Sequence, residues 1–295
     1  MVGRGVFGAV LSFVMLGVLA AAAQPLQANQ SRVYVAIADS RGKTAAPRDA
    51  ESFHVWENGA SRTVVNASPA TEPPSIIVII HGFERDETAD ARKALAAFVD
   101  AMRDGAPDTR IALIGDVKDP KLTNITTDAA KLDETARRFA MSASNLVFYE
   151  AIVDAAKALG KETSGRRIIV TLSKSTKHDV DHQTTMPTVA ALKKSGASVW
   201  SIDVTPENAT QILNKNNTSE MDGFISHAPE NTGGARERIY GTASLQAKLA
   251  GFADLILSQY QVTFTRPDTK GETELRIGVS GVPGEKVLGP GWFVR

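Results

Sequence analysis

The densest group of potential metal ligands in the chain is the run His178-Asp-Val-Asp-His182. Two imidazoles and two carboxylates within five residues are adequate ligands for Zn²⁺ or Ni²⁺. A solvated loop after a sheet strand has the same composition, however, and no Glu lies between the histidines as a metalloprotease helix requires. We interpret the run as such a loop and keep a metal site at His178, Asp179, Asp181 and His182 as the alternative.

A second candidate follows an aliphatic run and spans His81-Gly-Phe-Glu-Arg85. The preceding residues 76–80 are all β-branched, which predicts a strand buried on both faces within a parallel sheet. Ligands bind at the carboxyl ends of such strands. A strand that enters His-Gly-Phe also resembles the start of an α/β-hydrolase oxyanion loop. The chain has no Gly-x-Ser-x-Gly elbow, and its nearest strand-end serine, Ser173, lies in Leu-Ser-Lys-Ser-Thr.

The overall composition excludes several classes of protein. The 295 residues include 33 basic and 33 acidic side chains, so the basic excess typical of nucleic-acid binders is missing. Because the chain has no cysteine, disulfides, thiolate metal sites and a cysteine nucleophile are excluded.

The N-terminal residues have the pattern of a signal peptide. Arg4 supplies a positive charge, Val6 to Ala20 form an apolar core, and Ala21-Ala-Ala23 precedes Gln24 as a cleavage site. We therefore predict that residues 1–23 direct export to the periplasm or the exterior, with an uncleaved anchor as the alternative. No nucleic acid, and no membrane contact beyond this segment, is expected. The lack of cysteine in an exported chain favours a bacterial source.

The remaining patterns predict three segments. Short alternating strands occupy residues 24–72, where Asn58-Gly59 indicates a tight hairpin. Buried strands alternate with amphipathic helices across residues 73–260, which predicts a doubly wound, mostly parallel α/β sheet. Residues 261–295 return to strands, and we expect both chain ends to form one small β-rich companion domain. Within the middle segment, Ser198 to Val204 is the last predicted parallel strand, and Pro206 to Glu237 is expected to be irregular.

The charged runs Lys193-Lys194 and Arg236-Glu-Arg238 are interpreted as ordinary surface charge. The run from Lys286 to Val294 is expected to be the last strand of the chain.

Four segments, taken in order, resemble a von Willebrand factor type A (vWA) domain, and the mature chain resembles bacterial secreted proteins that carry this domain between β-rich flanks. These segments are Phe53-His-Val-Trp-Glu-Asn-Gly59, Phe148-Tyr-Glu-Ala-Ile152, Val170-Thr-Leu-Ser173 and Asn231-Thr-Gly-Gly234. The resemblance implies a Rossmann-like α/β fold.

The resemblance also implies a metal-ion-dependent adhesion site, in which Asp-x-Ser-x-Ser, a Thr and a further Asp hold Mg²⁺. In this chain His81, Phe83 and Arg85 replace the first three ligands. Asn145-Leu146 precedes the following helix without the Thr, and Ser173-Lys174-Ser175 stands where the family has Ser-Asp-Gly. Because cations repel a divalent ion, we predict a degenerate site without Mg²⁺ or Ca²⁺.

The sequence thus predicts an exported, non-enzymatic protein-binding or scaffold protein without a cofactor. Its partner is expected to be a protein or acidic polymer that meets the carboxyl edge of the sheet. The residues expected at that contact are His81, Phe83, Glu84, Arg85, Lys174 and Lys177. A hydrolase or metal-dependent enzyme that uses His81 or the His178/His182 pair is the alternative.

Overall fold

The computed structural model describes residues 29–84, 86–115, 123–128, 130–132, 134, 148–174, 185–205, 220–267, 271–281 and 283–294. Its strands are β1 (Gln30–Ala38), β2 (Phe53–Glu57), β3 (Ala60–Arg62), β4 (Val64–Pro69), β5 (Ser75–His81), β6 (Arg110–Gly115), β7 (Arg167–Lys174), β8 (Ser198–Thr205), β9 (Arg236–Tyr240), β10 (Tyr260–Thr265), β11 (Glu272–Val279), β12 (Lys286–Leu288) and β13 (Trp292–Val294). Its helices are α1 (Thr88–Gly105), α2 (Phe148–Leu159), α3 (Thr185–Ser195), α4 (Glu220–Thr232) and α5 (Leu245–Leu257).

The centre of the molecule is a parallel sheet with the strand order β6-β5-β7-β8-β9. Every residue of β5 is buried, as its β-branched sequence predicts. Along each strand, alternate side chains face opposite sides of the sheet, and helices cover both sides. The predicted doubly wound α/β fold is therefore confirmed.

Each face of the sheet has its own apolar core. Ile76, Val78 and Ile80 of β5 pack in a cluster with residues of α1 and α5 such as Phe98 and Phe252. The intervening residues of β5 face the opposite side, where the cluster is completed by α2, α3 and α4 through Ile152, Leu159, Leu192, Phe224 and Ala228.

The two chain ends form a β-rich companion, as predicted. Its two sheets have the orders β12-β1-β10-β4 and β13-β11-β2-β3, so each sheet combines strands from both ends. The predicted hairpin is present between β2 and β3, where Asn58 and Gly59 have φ values of 48° and 77°. Positive φ at both central residues is the conformation that Asn-Gly favours.

A buried ion pair joins the two chain ends inside this companion. Glu57, at the end of β2, pairs with Arg266, which follows β10, and both side chains are almost completely buried. Thr273 of β11 donates a hydrogen bond of 2.9 Å to the same carboxylate, and Arg62 donates one of 2.9 Å to its other oxygen. These donors satisfy a charge that would otherwise be costly to bury.

Three expectations about the C-terminal half are wrong. The segment from Pro206 to Glu237, expected to be irregular because of its polar runs at residues 214–219 and 231–234, contains α4 and the start of the edge strand β9. Helix α4 is stabilised by Phe224 and Ala228, which are one helical turn apart and pack into the core. Strand β9 extends the parallel sheet beyond β8. The C-terminal run from Lys286 to Val294, expected as one strand, divides into β12 and β13, which belong to different sheets.

Candidate functional site

The strand order reverses between β5 and β7, at the carboxyl edge of the parallel sheet. From β5 the chain connects to β6 on one side of the sheet, whereas from β7 it connects to β8 in the opposite direction. Such a reversal of strand order is the usual ligand position in open α/β sheets. His81 ends β5 directly opposite Ser173, and Ser173 lies opposite Asp203 of β8.

Two of the residues predicted to contact a partner lie inside the protein. His81 is 4% exposed, and its ring centroid lies 5.5 Å from that of Phe148 at the start of α2. Phe83 is 5% exposed and belongs to the core cluster beneath α1. Gly82 has a φ of 77°, which lets the backbone turn sharply between these two side chains. Both side chains therefore support the edge of the sheet without forming its exposed surface.

The end of β7 is tied to the start of α1 by an ion cluster of Lys174, Glu84 and Glu87. The Lys174 ammonium donates to Glu87 Oε1 at 2.9 Å, to Glu87 Oε2 at 3.0 Å and to Glu84 Oε1 at 3.2 Å. Glu87 Oε2 also accepts a 2.9 Å hydrogen bond from the backbone N–H of Glu84. The cluster thus fixes the loop that follows β5 to the neighbouring strand.

The three side chains of this cluster differ greatly in exposure. The side chains of Lys174 and Glu87 are 10% and 19% exposed, whereas that of Glu84 is 72% exposed. Burial alone would lower the pKa of Lys174, but hydrogen bonds and charge from Glu87 and Glu84 outweigh burial and raise the pKa above its ordinary value. Lys174 is therefore a charged lysine whose charge is neutralised within the protein.

A second ion cluster lies farther along the same edge. Asp203 is 2% exposed and accepts hydrogen bonds from Arg236 at 3.3 Å and Arg238 at 3.1 Å, both on β9. Two residues earlier on β8, Ser201 accepts a hydrogen bond of 2.9 Å from Thr171 of β7. The sequence pattern Arg-Glu-Arg had the appearance of ordinary surface charge, and only the unexpected strand β9 brings these arginines to Asp203.

The described side chains at this edge do not fit a divalent metal ion. At the position where the resemblance implies an Asp ligand, the Lys174 ammonium contacts the carboxylates of Glu84 and Glu87. A divalent ion would have to displace this ammonium and would be repelled by it at close range. Within the described residues, no three His, Asp or Glu side chains come together as a group that could hold a metal.

The other predicted site residues lie outside the described part of the chain. These are Arg85, Lys177, His178, Asp179, Asp181 and His182. The proposed signal peptide, residues 1–23, also lies outside it.

Comparison with known proteins gives similarity at the level of structure. No protein-family model and no curated protein matches the chain. The chain is similar to the conserved hypothetical protein BatB from Bacteroides thetaiotaomicron, with 13% identity, coverage of 62% of this chain and 98% of that chain, and a TM-score of 0.47. It is similar to the SpRpn10 VWA domain, with 16% identity, coverage of 60% and 93%, and a TM-score of 0.45. It is also similar to the pilus adhesin SpaC from Lactobacillus rhamnosus GG, with 10% identity, coverage of 88% and 47%, and a TM-score of 0.48.

One of these similar structures is itself a VWA domain. Similarities at this level assign no residue role to the present chain, and its α/β fold rests on the strand order and pairing given above. Across the described residues, no helix has both the length and the apolar composition needed to cross a membrane.

Proposed function

We propose that the chain is an exported, non-enzymatic protein-binding or scaffold protein that contacts a protein partner through the carboxyl edge of its parallel sheet, without a metal ion. The main observation in support of this proposal is the ion cluster of Lys174 with Glu84 and Glu87. An internal ammonium there provides the positive charge that orders the loop after β5, so the edge keeps a defined shape without a cation from solution.

The exposed member of the cluster indicates how a partner would be contacted. Glu84 projects from the edge while one of its oxygens remains bonded to Lys174. A carboxylate held in this way is a suitable acceptor for a Lys or Arg of a partner protein. Lys174, in contrast, is neutralised, so an acidic partner would depend on Arg85 and Lys177.

Burial of His81 supports a non-enzymatic role. A general base must reach the proton that it removes, within hydrogen-bonding distance of the substrate. The His81 ring instead lies against Phe148 beneath the surface. A hydrolase or metal-dependent enzyme is accordingly the less favoured alternative.

The proposed contact is tested by affinity capture from the native envelope with chemical cross-linking. The variant Glu84→Ala removes the exposed carboxylate, and Glu274→Ala removes an exposed carboxylate from the companion domain as a matched control. We expect a protein captured by the wild type and by Glu274→Ala to be reduced severalfold with Glu84→Ala, while all three proteins melt at similar temperatures. Equal capture by Glu84→Ala would place the contact elsewhere.

The proposed export is tested by cell fractionation and intact-protein mass measurement. Export is proposed because of the apolar segment that precedes Gln24. We expect the protein outside the cytoplasm, with a mass corresponding to a chain that begins at Gln24. A cytoplasmic protein that retains residues 1–23 would contradict export.

A further inference from the structure

A cleft of about 410 Å³ lies at the amino edge of the parallel sheet, opposite the edge discussed above. Its α/β side is formed by the starts of β7 and β8 and by the end of α3. Its other side is formed by the companion domain, through β1 and the segment around Trp292. Pockets of this size between two domains are common positions for small ligands.

The charged side chains that line the cleft are almost all positive. They are Arg32, Arg166, Arg167, Lys193 and Lys194, together with the single carboxylate Glu72. Glu272 lies just outside and accepts a hydrogen bond of 2.5 Å from Lys193. Two carboxylates therefore face five cations, and a cleft lined by one sign of charge concentrates ions of the opposite sign.

The two arginines at the floor of the cleft are held by neutral acceptors. Arg167 donates to the backbone oxygens of Ser164, Ser195 and Glu162, at 3.1, 2.7 and 2.9 Å. These bonds fix the guanidinium in place, and no carboxylate of the described residues forms an ion pair with it. The bonds use three of its five N–H donors, so two remain for a ligand.

Arg166 is held in a similar way but is more deeply buried. It is 3% exposed and donates to the backbone oxygens of Glu72 and Ile256, at 2.6 and 2.5 Å, and to the side chain of Gln259. Burial lowers the pKa of Arg166 to about 10, an effect that electrostatic interactions with Tyr34 and Glu72 only partly oppose. An anion in the cleft would supply negative charge that stabilises the buried guanidinium of Arg166.

Lysines complete the rim. Lys194 is exposed and has no carboxylate partner among the described residues. The Lys193 ammonium lies 5.1 Å from the ring centroid of Trp292, so one wall of the cleft is aromatic and cationic at once. A planar or apolar part of a ligand would pack against this wall.

We propose that this cleft binds a small oxyanion, a ligand that carries carboxylate or phosphate groups. Arg166 and Arg167 form a rigid cationic floor, Lys193 and Lys194 add adjustable donors, and Trp292 contacts the rest of the ligand. Because both domains contribute side chains, the bound anion would also hold them together. This binding site is separate from the proposed partner contact and does not depend on it.

The proposal is tested by isothermal titration of the full mature chain at low ionic strength with inorganic phosphate and, separately, with citrate. Tryptophan fluorescence, to which Trp292 at the cleft contributes, provides a second readout. We expect saturable binding of one molecule of at least one probe, and the probe that binds more tightly distinguishes a phosphate site from a carboxylate site. Lys194→Glu, which changes an exposed side chain and should not disturb folding, is expected to weaken binding at least about tenfold.

The matched control is Lys157→Glu, which changes an exposed lysine on α2, outside the residues that line the cleft. We expect this variant to bind the probe with an affinity within about twofold of the wild type. The proposal is overturned if neither probe binds saturably, if Lys194→Glu binds as well as the wild type, or if the control loses as much affinity as Lys194→Glu.

Discussion

The ammonium of Lys174 lies 2.9 Å from Oε1 of Glu87, so the end of β7 is bonded to the residue that immediately precedes α1. Glu87 occupies the amino-terminal cap of that helix, where a negative charge is favourable. The same carboxylate orders the backbone of the loop through the N–H of Glu84. One ion pair thus positions a helix start, a loop and a strand end at the proposed contact surface.

Removing the Lys174 ammonium should destabilise the protein. Lys174→Met leaves the partly buried Glu87 carboxylate without its main partner, and we expect a loss of about 1–3 kcal/mol in the free energy of unfolding, measured with urea at pH 7. Lys157→Met removes a lysine that is 67% exposed and should change the same free energy by less than about 0.5 kcal/mol. Equal stabilities of the Lys174 variant and the wild type would show that the ion cluster is structurally unimportant.

The buried pair of Glu57 and Arg266 should dominate the stability of the companion domain. Glu57→Gln leaves the Arg266 charge buried without a counter-charge, and such a change costs about 3–5 kcal/mol. The exposed control Glu274→Gln, on a neighbouring strand, should cost less than about 0.5 kcal/mol. A loss below about 1 kcal/mol for Glu57→Gln, which is the range of exposed ion pairs, would contradict the assignment.

The same pair predicts a pH dependence. Burial alone would raise the pKa of Glu57, but hydrogen bonds from Thr273, Arg266 and Arg62 and the Arg266 charge outweigh it and hold the pKa below the ordinary value of 4.5. The unfolded chain therefore binds the proton more readily, so the stabilisation is present above pH 4.5 and is lost as the pH falls through the lower folded value. In urea titrations, the stability difference between wild type and Glu57→Gln should shrink with falling pH in that range. A stability difference that grows as the pH falls would contradict this prediction.

The Thr-Gly-Gly segment that contributes to the vWA resemblance has a packing role. A Cβ at Gly234 would lie 1.8 Å from the backbone oxygen of Val199, so Gly234→Ala must displace β8 and should cost at least about 2 kcal/mol. Gly251→Ala in α5, where a Cβ meets nothing within 4 Å, should instead stabilise the protein by about 0.5–1 kcal/mol. Thermal unfolding of both variants distinguishes these opposite signs, and similar midpoints would contradict the packing argument.

Local patterns were sufficient for two of the predictions that the structure confirms. The five β-branched residues before His81 have only one favourable environment, a strand covered on both faces. Asn58-Gly59 determines its own turn, because both residues tolerate positive φ. Neither prediction required knowledge of distant parts of the chain.

The chemistry of both edges could not be obtained in this way, because it depends on contacts between distant residues. Lys174 meets Glu87 across 87 positions of sequence, and its neutralisation follows from the strand order and the start of α1. Lys193 and Lys194 had the appearance of ordinary surface charge until the fold placed them beside Arg166 and Arg167. Phe83 was expected at the surface because it follows a strand, but the turn at Gly82 directs it into the core.

The central claim is that an internal lysine occupies the place of a divalent cation at the carboxyl edge. Its most direct test is the thermal unfolding midpoint of the wild type in EDTA and in millimolar Mg²⁺ or Ca²⁺. We predict the same midpoint, within about 1 °C, in all three solutions, because the Lys174 ammonium already contacts both Glu84 and Glu87 and a metal ion would have to displace it. An increase of several degrees with either metal that is abolished in the double variant Glu84→Gln/Glu87→Gln would contradict the claim.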